Sequence, residues 1–186
     1  MSGHSKWAQI KHQKSITDVK KGKLFSKFSR LISLAAKRGT DPGMNPSLKY
    51  AINQAKAANM PADNIEKAIK KGAGSSQEEN LEEARYEAFG PGGCSLIIET
   101  ITDNKNRTFN EIRHLLSQRG VKLGEPGSAA WAFEKESGGA WKAKIPLEIG
   151  SAEKESLKKI IDELEDRDDV QKVYTNAKEA ETEPEL

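Results

Sequence analysis

The chain has 186 residues, a length that suits one domain or two small ones. Charged residues make up 31% of the chain and hydrophobic residues 35%, but regular apolar spacing argues against general disorder. A single cysteine excludes a disulfide framework and a multi-cysteine zinc site. Since there is neither an apolar run of roughly 20 residues nor a signal-peptide core after Met1, we expect a cytoplasmic protein without membrane contact.

The formal net charge of +2 is the sum of two unlike halves. Residues 1–72 carry 15 basic and 4 acidic side chains, whereas residues 73–186 carry 15 basic and 24 acidic ones. The first half therefore has a net charge of +11 and the second a net charge of −9. Such a basic segment repels itself unless a polyanion or an acidic surface neutralises it.

Three interpretations of the basic half are open: nucleic-acid contact, a lysine-rich face that only aids solubility, and a mitochondrial transit peptide. Residues 1–38 are acid-poor, but their lysines outnumber their arginines eight to two, which is unlike a transit peptide. Aromatic and histidine side chains are interleaved with the lysines, as in Trp7, His12 and Phe25. This pattern favours nucleic-acid contact.

In chain order, residues 1–20 show little periodicity and predict an extended arm or a short helix. Apolar residues at helical spacing then predict helices over about residues 24–38, 45–59 and 61–71, with Gly72 ending the third. These elements predict a small three-helix domain whose apolar stripes form its core. Its function is then expected on the lysine faces and in the arm.

Beyond a linker at residues 75–80 the apolar period changes to two. The predicted elements are, in order, strands over residues 86–89 and 94–101, a helix from Asp103 or Asn104 to Gly120, strands over 128–134 and 141–149, a helix capped by Ser151, and a strand over 170–174. The order β-β-α-β-β-α-β predicts an α+β domain with an antiparallel sheet and helices on one side. The predicted domains are residues 1–74 and 81–176, with a flexible acidic tail at 177–186.

No motif in the sequence predicts catalysis. The segment 90–93 (Gly-Pro-Gly-Gly) lacks the Gly-Lys-Ser/Thr ending of a phosphate loop and fits a hairpin turn. Cys94 begins an apolar strand and is expected to be a buried structural thiol, and His4, His12 and His114 lack the convergent ligands of a metal site. We therefore expect no enzyme activity, cofactor, metal or small-molecule substrate.

The candidate contacts are the basic residues of the first 38 positions together with Trp7. Lysine acts as a mobile point charge, so its excess over arginine favours recognition of the phosphate backbone rather than of base edges. Trp7 either stacks on an unpaired base or, as we favour, anchors the arm. The predicted nucleic-acid contacts are Lys6, Trp7, Lys11, His12, Lys14, Lys20, Lys21, Lys23, Lys27, Arg30, Lys37 and Arg38.

Several segments together resemble the YebC/PmpR family, which includes the mitochondrial translational activator of cytochrome oxidase subunit one. The matching segments cover nearly the whole chain and are specific in combination. They are Gly3-His4-Ser5-Lys6-Trp7, Ile10-Lys11-His12, Asn59-Met60-Pro61, residues 64–72, Tyr86-Glu87 with residues 90–93, Thr102 to Thr108, Leu123 to Ser128, and residues 164–176.

The sequence departs from this resemblance after residue 133. Family members continue there into a further α/β domain of several dozen residues, whereas only residues 134–144 fill the place here, with a turn at Ser137-Gly138-Gly139. We therefore expect a short form that lacks the third domain.

The resemblance implies a non-enzymatic regulator of gene expression. Members are described as DNA-binding transcriptional regulators or as ribosome-associated factors that ease synthesis of proline-rich stretches. We slightly favour ribosomal RNA, because no element presents an evident base-reading helix and lysine-rich arms suit RNA crevices. DNA-binding transcriptional regulation is the alternative, and a protein-interaction module without nucleic-acid contact is a further one. The oligomeric state stays open.

Overall fold

The computed structural model of the protein describes residues 4–74 and 80–178, with the side chains of residues 4–17 not described. The chain divides into two compact units, Met1–Leu81 and Glu82–Leu186. The described residues of the first unit form helices and no strand. The second combines helices with antiparallel strands, which confirms the predicted α+β class.

Residues 4–74 of the first unit form three helices, of which α1 (His4–Ala36) is the longest. It is followed by α2 (Pro46–Ala57) and α3 (Ala62–Ala73). The helix predicted from residue 24 thus extends back to His4. Of the two alternatives predicted for residues 1–20, an extended arm or a short helix, the extended arm is wrong for residues 4–20. Residues 4–20 contain neither proline nor glycine, so no backbone signal interrupts the helix there.

The end of α1 is joined to the start of α2 through Asn45. Its side-chain oxygen accepts a hydrogen bond from the Leu48 backbone N–H at 3.1 Å and caps α2. Its side-chain nitrogen donates to the carbonyl oxygens of Ala35 and Gly39, both at 2.8 Å. One buried side chain therefore satisfies unpaired backbone groups at both helix ends.

Helices α1 and α3 pack backbone against backbone at Gly72. The sequence predicts Gly72 as a helix stop, but it lies inside α3. A Cβ atom there would lie 2.2 Å from the Ser33 carbonyl oxygen and 2.8 Å from the Ala36 Cβ. The Ser33 hydroxyl also donates a 2.8 Å hydrogen bond to the Ala68 carbonyl. Glycine is therefore required by the close crossing of the two helices rather than by a turn.

The second unit is built on a four-stranded antiparallel sheet with the strand order β3-β1-β2-β6. Its strands are β1 (Glu82–Phe89), β2 (Ser95–Thr102), β3 (Lys122–Leu123) and β6 (Val170–Thr175). A turn at Pro91–Gly93 connects β1 to β2 as predicted, with positive φ values of 69° and 78° at Gly92 and Gly93. Strand β3 is absent from the prediction because two residues are too short to show a period.

The two faces of the sheet are covered by different elements. Helices α4 (Lys105–Gln118) and α5 (Ser151–Glu165) pack on one face, where Leu96 and Ile98 of β2 belong to the main core. A hairpin of β4 (Phe133–Lys135) and β5 (Trp141–Ala143) packs on the other face. There Ile97 contacts a smaller core that includes Phe133, Trp141 and Tyr174.

Two predicted strands differ from the structure. Residues 130–132 form a turn of 3-10 helix, so Trp131 is 60% exposed although Ala129 and Phe133 are buried. The strand predicted over residues 141–149 ends at Ala143, and Leu147 forms only an isolated bridge to Ala177. Helix α5 has Gly150, not Ser151, at its N-cap position.

We expect Gly72→Ala to destabilise the first unit by about 1–3 kcal/mol, because the added methyl group overlaps the α1 backbone. Gly22→Ala is the matched control, since Gly22 lies in α1 and a Cβ there meets nothing within 4 Å. That variant should be neutral or more stable by up to about 1 kcal/mol. Urea unfolding followed by far-ultraviolet circular dichroism measures both, and equal stability of Gly72→Ala and the parent would contradict the crossing described above.

Candidate nucleic-acid interface

Helix α1 carries a stripe of basic residues on the side away from its apolar contacts. Lys20, Lys23, Lys27 and Arg30 follow one another at helical spacing, and we call these four residues the α1 basic stripe. Phe25, Phe28 and Ile32, on the opposite side, belong to the core of the first unit. Lys20 is exposed, whereas the other three stripe residues are half-buried. At about 1.5 Å per residue, the stripe is about 15 Å long.

The remaining predicted contacts fall into three groups. Lys6, Trp7, Lys11, His12 and Lys14 are in α1, but their side chains lie outside the described part of the structure. Lys21 is exposed and lies on the apolar side of α1, ahead of the packed residues.

Lys37 and Arg38 follow the end of α1 and are both exposed. The Lys37 ammonium group donates hydrogen bonds to the Leu81 carbonyl oxygen at 2.9 Å and to the Asn80 side-chain oxygen at 3.4 Å. Lys37 therefore fixes the end of the first unit, and two of its three donors already have acceptors.

The predicted site omits five exposed lysines of the first unit. They are Lys49 and Lys56 of α2 and Lys67, Lys70 and Lys71 of α3. Tyr50, 54% exposed, and Met44, 84% exposed, lie in the same region of the chain. The charge count includes these lysines, but only the packing of the helices shows that they face solvent.

Glu87 holds the loop that contains the segment 123–128. Its carboxylate is buried and accepts hydrogen bonds from the backbone N–H groups of Gly127 at 2.9 Å, Ala129 at 2.7 Å and Ala130 at 2.8 Å. The Nε atom of Arg85 lies 3.5 Å from the Oε1 atom of Glu87. Burial disfavours the charged form, but the three amides and Arg85 outweigh it and keep the pKa of Glu87 below its usual value.

The segment 102–108 caps the start of α4 and binds it to Asp169. The side-chain oxygen of Asn104 caps the helix by accepting from the Arg107 N–H. Buried Asp169 accepts hydrogen bonds from the hydroxyls of Thr102 and Thr108 and from the Arg107 guanidinium at 2.8 Å. Because the side chains of Thr102, Asn104, Arg107 and Thr108 all bond within the fold, these four residues have a structural role.

Much of the acidity of the second half lies outside the residues that the structure describes. Residues 81–178 carry 15 basic and 18 acidic side chains, which leaves a net charge of only −3. The other acidic residues of this half are Glu78, Glu79, Glu179, Glu181, Glu183 and Glu185.

The described residues offer little that is typical of catalysis. They contain no group of three His, Cys, Asp or Glu side chains placed to hold a metal ion. Cys94 is buried as predicted, and its burial raises the pKa of the thiol, which keeps it protonated and unreactive. Within the same described ranges, no helix is both long and apolar enough to cross a membrane.

Comparison with known sequence families matches almost the whole chain. The TACO1/YebC protein N-terminal domain matches residues 5–75, and the TACO1/YebC second and third domain matches residues 81–138 and 135–177. The chain belongs to the TACO1/YebC family.

Full-length relatives and a solved structure agree with the TACO1/YebC assignment. A probable transcriptional regulatory protein of Desulfosudis oleivorans is 44% identical over 188 residues, covering 98% of this chain and 74% of the relative. One of Maridesulfovibrio salexigens is 46% identical, covering 95% of this chain and 76% of the relative. The crystal structure of a conserved hypothetical protein from Aquifex aeolicus has a TM-score of 0.78 at 31% identity, covering 87% of this chain and 93% of that one.

The match to the second and third TACO1/YebC domains breaks at the β4–β5 hairpin. Its two segments meet at residues 135–138, and the hairpin turns there, with Gly139 at a φ of +84°. The backbone N–H of Glu136 donates to the Ala140 carbonyl and that of Gly139 to the Glu136 carbonyl, which closes the turn. The absence of a domain at this point stays a prediction.

We expect Glu87→Gln to destabilise the second unit by about 1.5–3 kcal/mol at neutral pH, because the amide replaces a charged acceptor and turns a donor toward backbone N–H groups. Because the folded pKa of Glu87 is lowered, its contribution is present above the unfolded pKa and is lost as the pH falls through the folded value.

Urea unfolding at pH 7 and at about pH 3 measures this difference. The difference in the free energy of unfolding between the parent and Glu87→Gln should be smaller at the lower pH. Glu125→Gln, at an exposed position of the same loop, should behave as the parent at both. A gap that is as wide in acid as at neutral pH would refute the role given to the carboxylate.

Proposed function

We propose that this protein is a non-enzymatic regulator of gene expression that binds the phosphate backbone of nucleic acid through its first unit, in the cytoplasm. The observation that carries the proposal is the α1 basic stripe, which lies opposite the core contacts of a unit that is strongly basic. A positive charge kept off the core at helical spacing forms a line that can follow a phosphate backbone.

We favour structured RNA of the ribosome as the target, with synthesis of proline-rich stretches as the regulated step. The stripe consists of three lysines and one arginine, and lysine contacts phosphates as a point charge without reading bases. Recognition by charge and shape is typical of proteins that bind folded RNA.

DNA-binding transcriptional regulation is the second candidate. It is favoured by the relatives from Desulfosudis oleivorans and Maridesulfovibrio salexigens, which are named probable transcriptional regulatory proteins. The same stripe suits the backbone of duplex DNA, so the two candidates share an interface and differ in the target.

We expect replacement of the α1 basic stripe by alanine to weaken nucleic-acid binding and to reduce its salt dependence. Each lost phosphate contact should lower the slope of log K against log salt by about 0.7 on a single strand or about 0.9 on duplex DNA. Because three stripe residues are half-buried, Lys20→Ala/Lys21→Ala is a second variant confined to exposed side chains.

The matched control removes four exposed charges from the second unit, Lys122, Lys158, Lys159 and Arg167. This control should change the slope of log K against log salt by less than the amount expected for one phosphate contact. Co-sedimentation with ribosomes and binding to promoter DNA, at the same physiological salt, separates the two targets. If the stripe variant and Lys20→Ala/Lys21→Ala both bind ribosomes and DNA as the parent does, the proposed interface is wrong. Partner capture that survives nuclease and high salt would instead favour a protein-interaction module.

A further inference from the structure

The sheet face that the β4–β5 hairpin covers carries a cluster of aromatic and basic side chains. We call the following five residues the aromatic–basic face: Arg85, Lys135, Trp141, Lys172 and Tyr174. Arg85 of β1 pairs in register with Glu99 of β2, and Glu99 pairs with Lys172 of β6. Lys135 and Trp141 pair with each other in the hairpin.

Glu99 holds the two rings of this face in place. Its carboxylate accepts a 2.8 Å hydrogen bond from the Trp141 indole N–H and lies 3.5 Å from the Tyr174 hydroxyl. Trp141 and Tyr174 also pack beside Ile97 and Phe133, and both rings stay partly exposed. Rings fixed in this way lose little conformational freedom when a ligand stacks against them.

Three cationic groups lie over these rings. The Arg85 guanidinium is 5.2 Å and the Lys135 ammonium 5.1 Å from the centre of the Trp141 ring, and the Lys172 ammonium is 5.0 Å from that of Tyr174. The Arg85 side chain is 42% exposed, and both lysines are exposed. Among the described residues, neither lysine forms an ion pair, whereas the one carboxylate between the rings, Glu99, is occupied by their N–H and O–H groups.

We propose that the aromatic–basic face is a second nucleic-acid site, which takes a short unpaired segment of RNA. Bases stack on the Trp141–Arg85 pair and on Tyr174, while Lys135 and Lys172 neutralise the adjoining phosphates. Aromatic rings and arginine planes on a sheet, beside cations, suit unstacked bases, which a duplex does not expose. Unpaired bases are common in loops of folded RNA, so the site deepens the proposed RNA function and rests on it for the choice of RNA over DNA.

The site depends on a feature in which this chain departs from the pattern of its family. Lys135 and Trp141 belong to the hairpin at which the match to the TACO1/YebC second and third domain breaks. The hairpin covers Ile97 and at the same time supplies one ring and one cation of the proposed site.

The test uses the full chain and an oligouridine of about ten nucleotides, with oligothymidine of equal length for comparison. Lys135→Ala/Lys172→Ala should weaken oligouridine binding about five- to tenfold and lower its salt slope by about 1.4, the value for two phosphates of a single strand. Lys158→Ala/Lys159→Ala removes the same charge from exposed positions of α5 and should leave the affinity unchanged.

A second readout reports on stacking directly. In a variant with Trp7→Phe and Trp131→Phe, Trp141 is the one remaining tryptophan, since the chain has three. Oligouridine should quench its fluorescence, and adding Lys135→Ala/Lys172→Ala should shift the quenching to higher oligonucleotide concentration. Three results would overturn the proposal. They are unchanged Trp141 fluorescence at saturating oligouridine, equal oligouridine affinity of the Lys135/Lys172 and Lys158/Lys159 variants, and quenching by oligothymidine alone.

The same measurements on the α1 stripe variant separate this site from the first. If the stripe variant loses ribosome or duplex binding, and oligouridine does not quench Trp141 fluorescence, the proposed function stands and the second site is wrong. Quenching of Trp141 that the stripe variant retains supports the second site even where the stripe proves unnecessary. Capture of an acidic peptide in place of oligouridine would assign the face to a protein partner and overturn the RNA assignment.

Discussion

Burial of β2 on both of its faces is the constraint around which the second unit is organised. Seven of its eight residues are buried, and Glu99 is the exception. A strand of this kind needs apolar cover on two sides, since its side chains point alternately to opposite faces. Helices α4 and α5 cover Leu96 and Ile98, and the hairpin covers Ile97 with Phe133 and Trp141.

The position of Glu99 under the hairpin follows from the same need for cover on this face. Its carboxylate is only partly buried and accepts a hydrogen bond from the Trp141 indole N–H, which adds a polar bond to the apolar contact of the hairpin. Buried or half-buried polar groups are stable only when their hydrogen bonds are made. Covering the sheet thus also orients the aromatic side chains at its surface.

The distribution of charge has a different origin in each unit. In the first unit, lysines occupy the helix faces that the core leaves over, so helix packing decides which of them meet solvent. In the second, residues 81–178 are nearly balanced in charge, and most of the acidic surplus comes from Glu78, Glu79 and the glutamates after residue 178. The contrast between a basic and an acidic half is therefore weaker among the described residues than in the whole sequence.

The periodic elements of this fold were predictable, and those set by tertiary contact were not. Strand β2, α2 and the apolar stripe of α5 follow from local pattern, as does the Asn104 cap. Gly72 shows the limit, because a glycine near a helix end signals a stop locally, while the Ser33 carbonyl beside it belongs to a residue 39 positions away. Trp131 is a second example of this limit. The Glu87 carboxylate accepts hydrogen bonds from the N–H groups of Ala129 and Ala130, and the turn at these residues interrupts the predicted strand.

For the candidate interface, the sequence predicted the charge, but its helix was predicted only from residue 24, and most of the basic residues of α1 come before that position. It could not separate Lys37, which bonds to Leu81, from the exposed Arg38 beside it. The aromatic–basic face was beyond prediction because Arg85, Trp141 and Lys172 come from three distant segments that only the sheet register brings together.

The strand order also fixes when each part of this protein can fold as it leaves the ribosome. The first unit lies within the first 81 residues, so its helices can pack while the second unit is still being made. Strand β2 pairs with β6, which is made some seventy residues later. The edge of β2 that pairs with β6 therefore stays unpaired until β6 has been made, and through that interval the nascent chain exposes it.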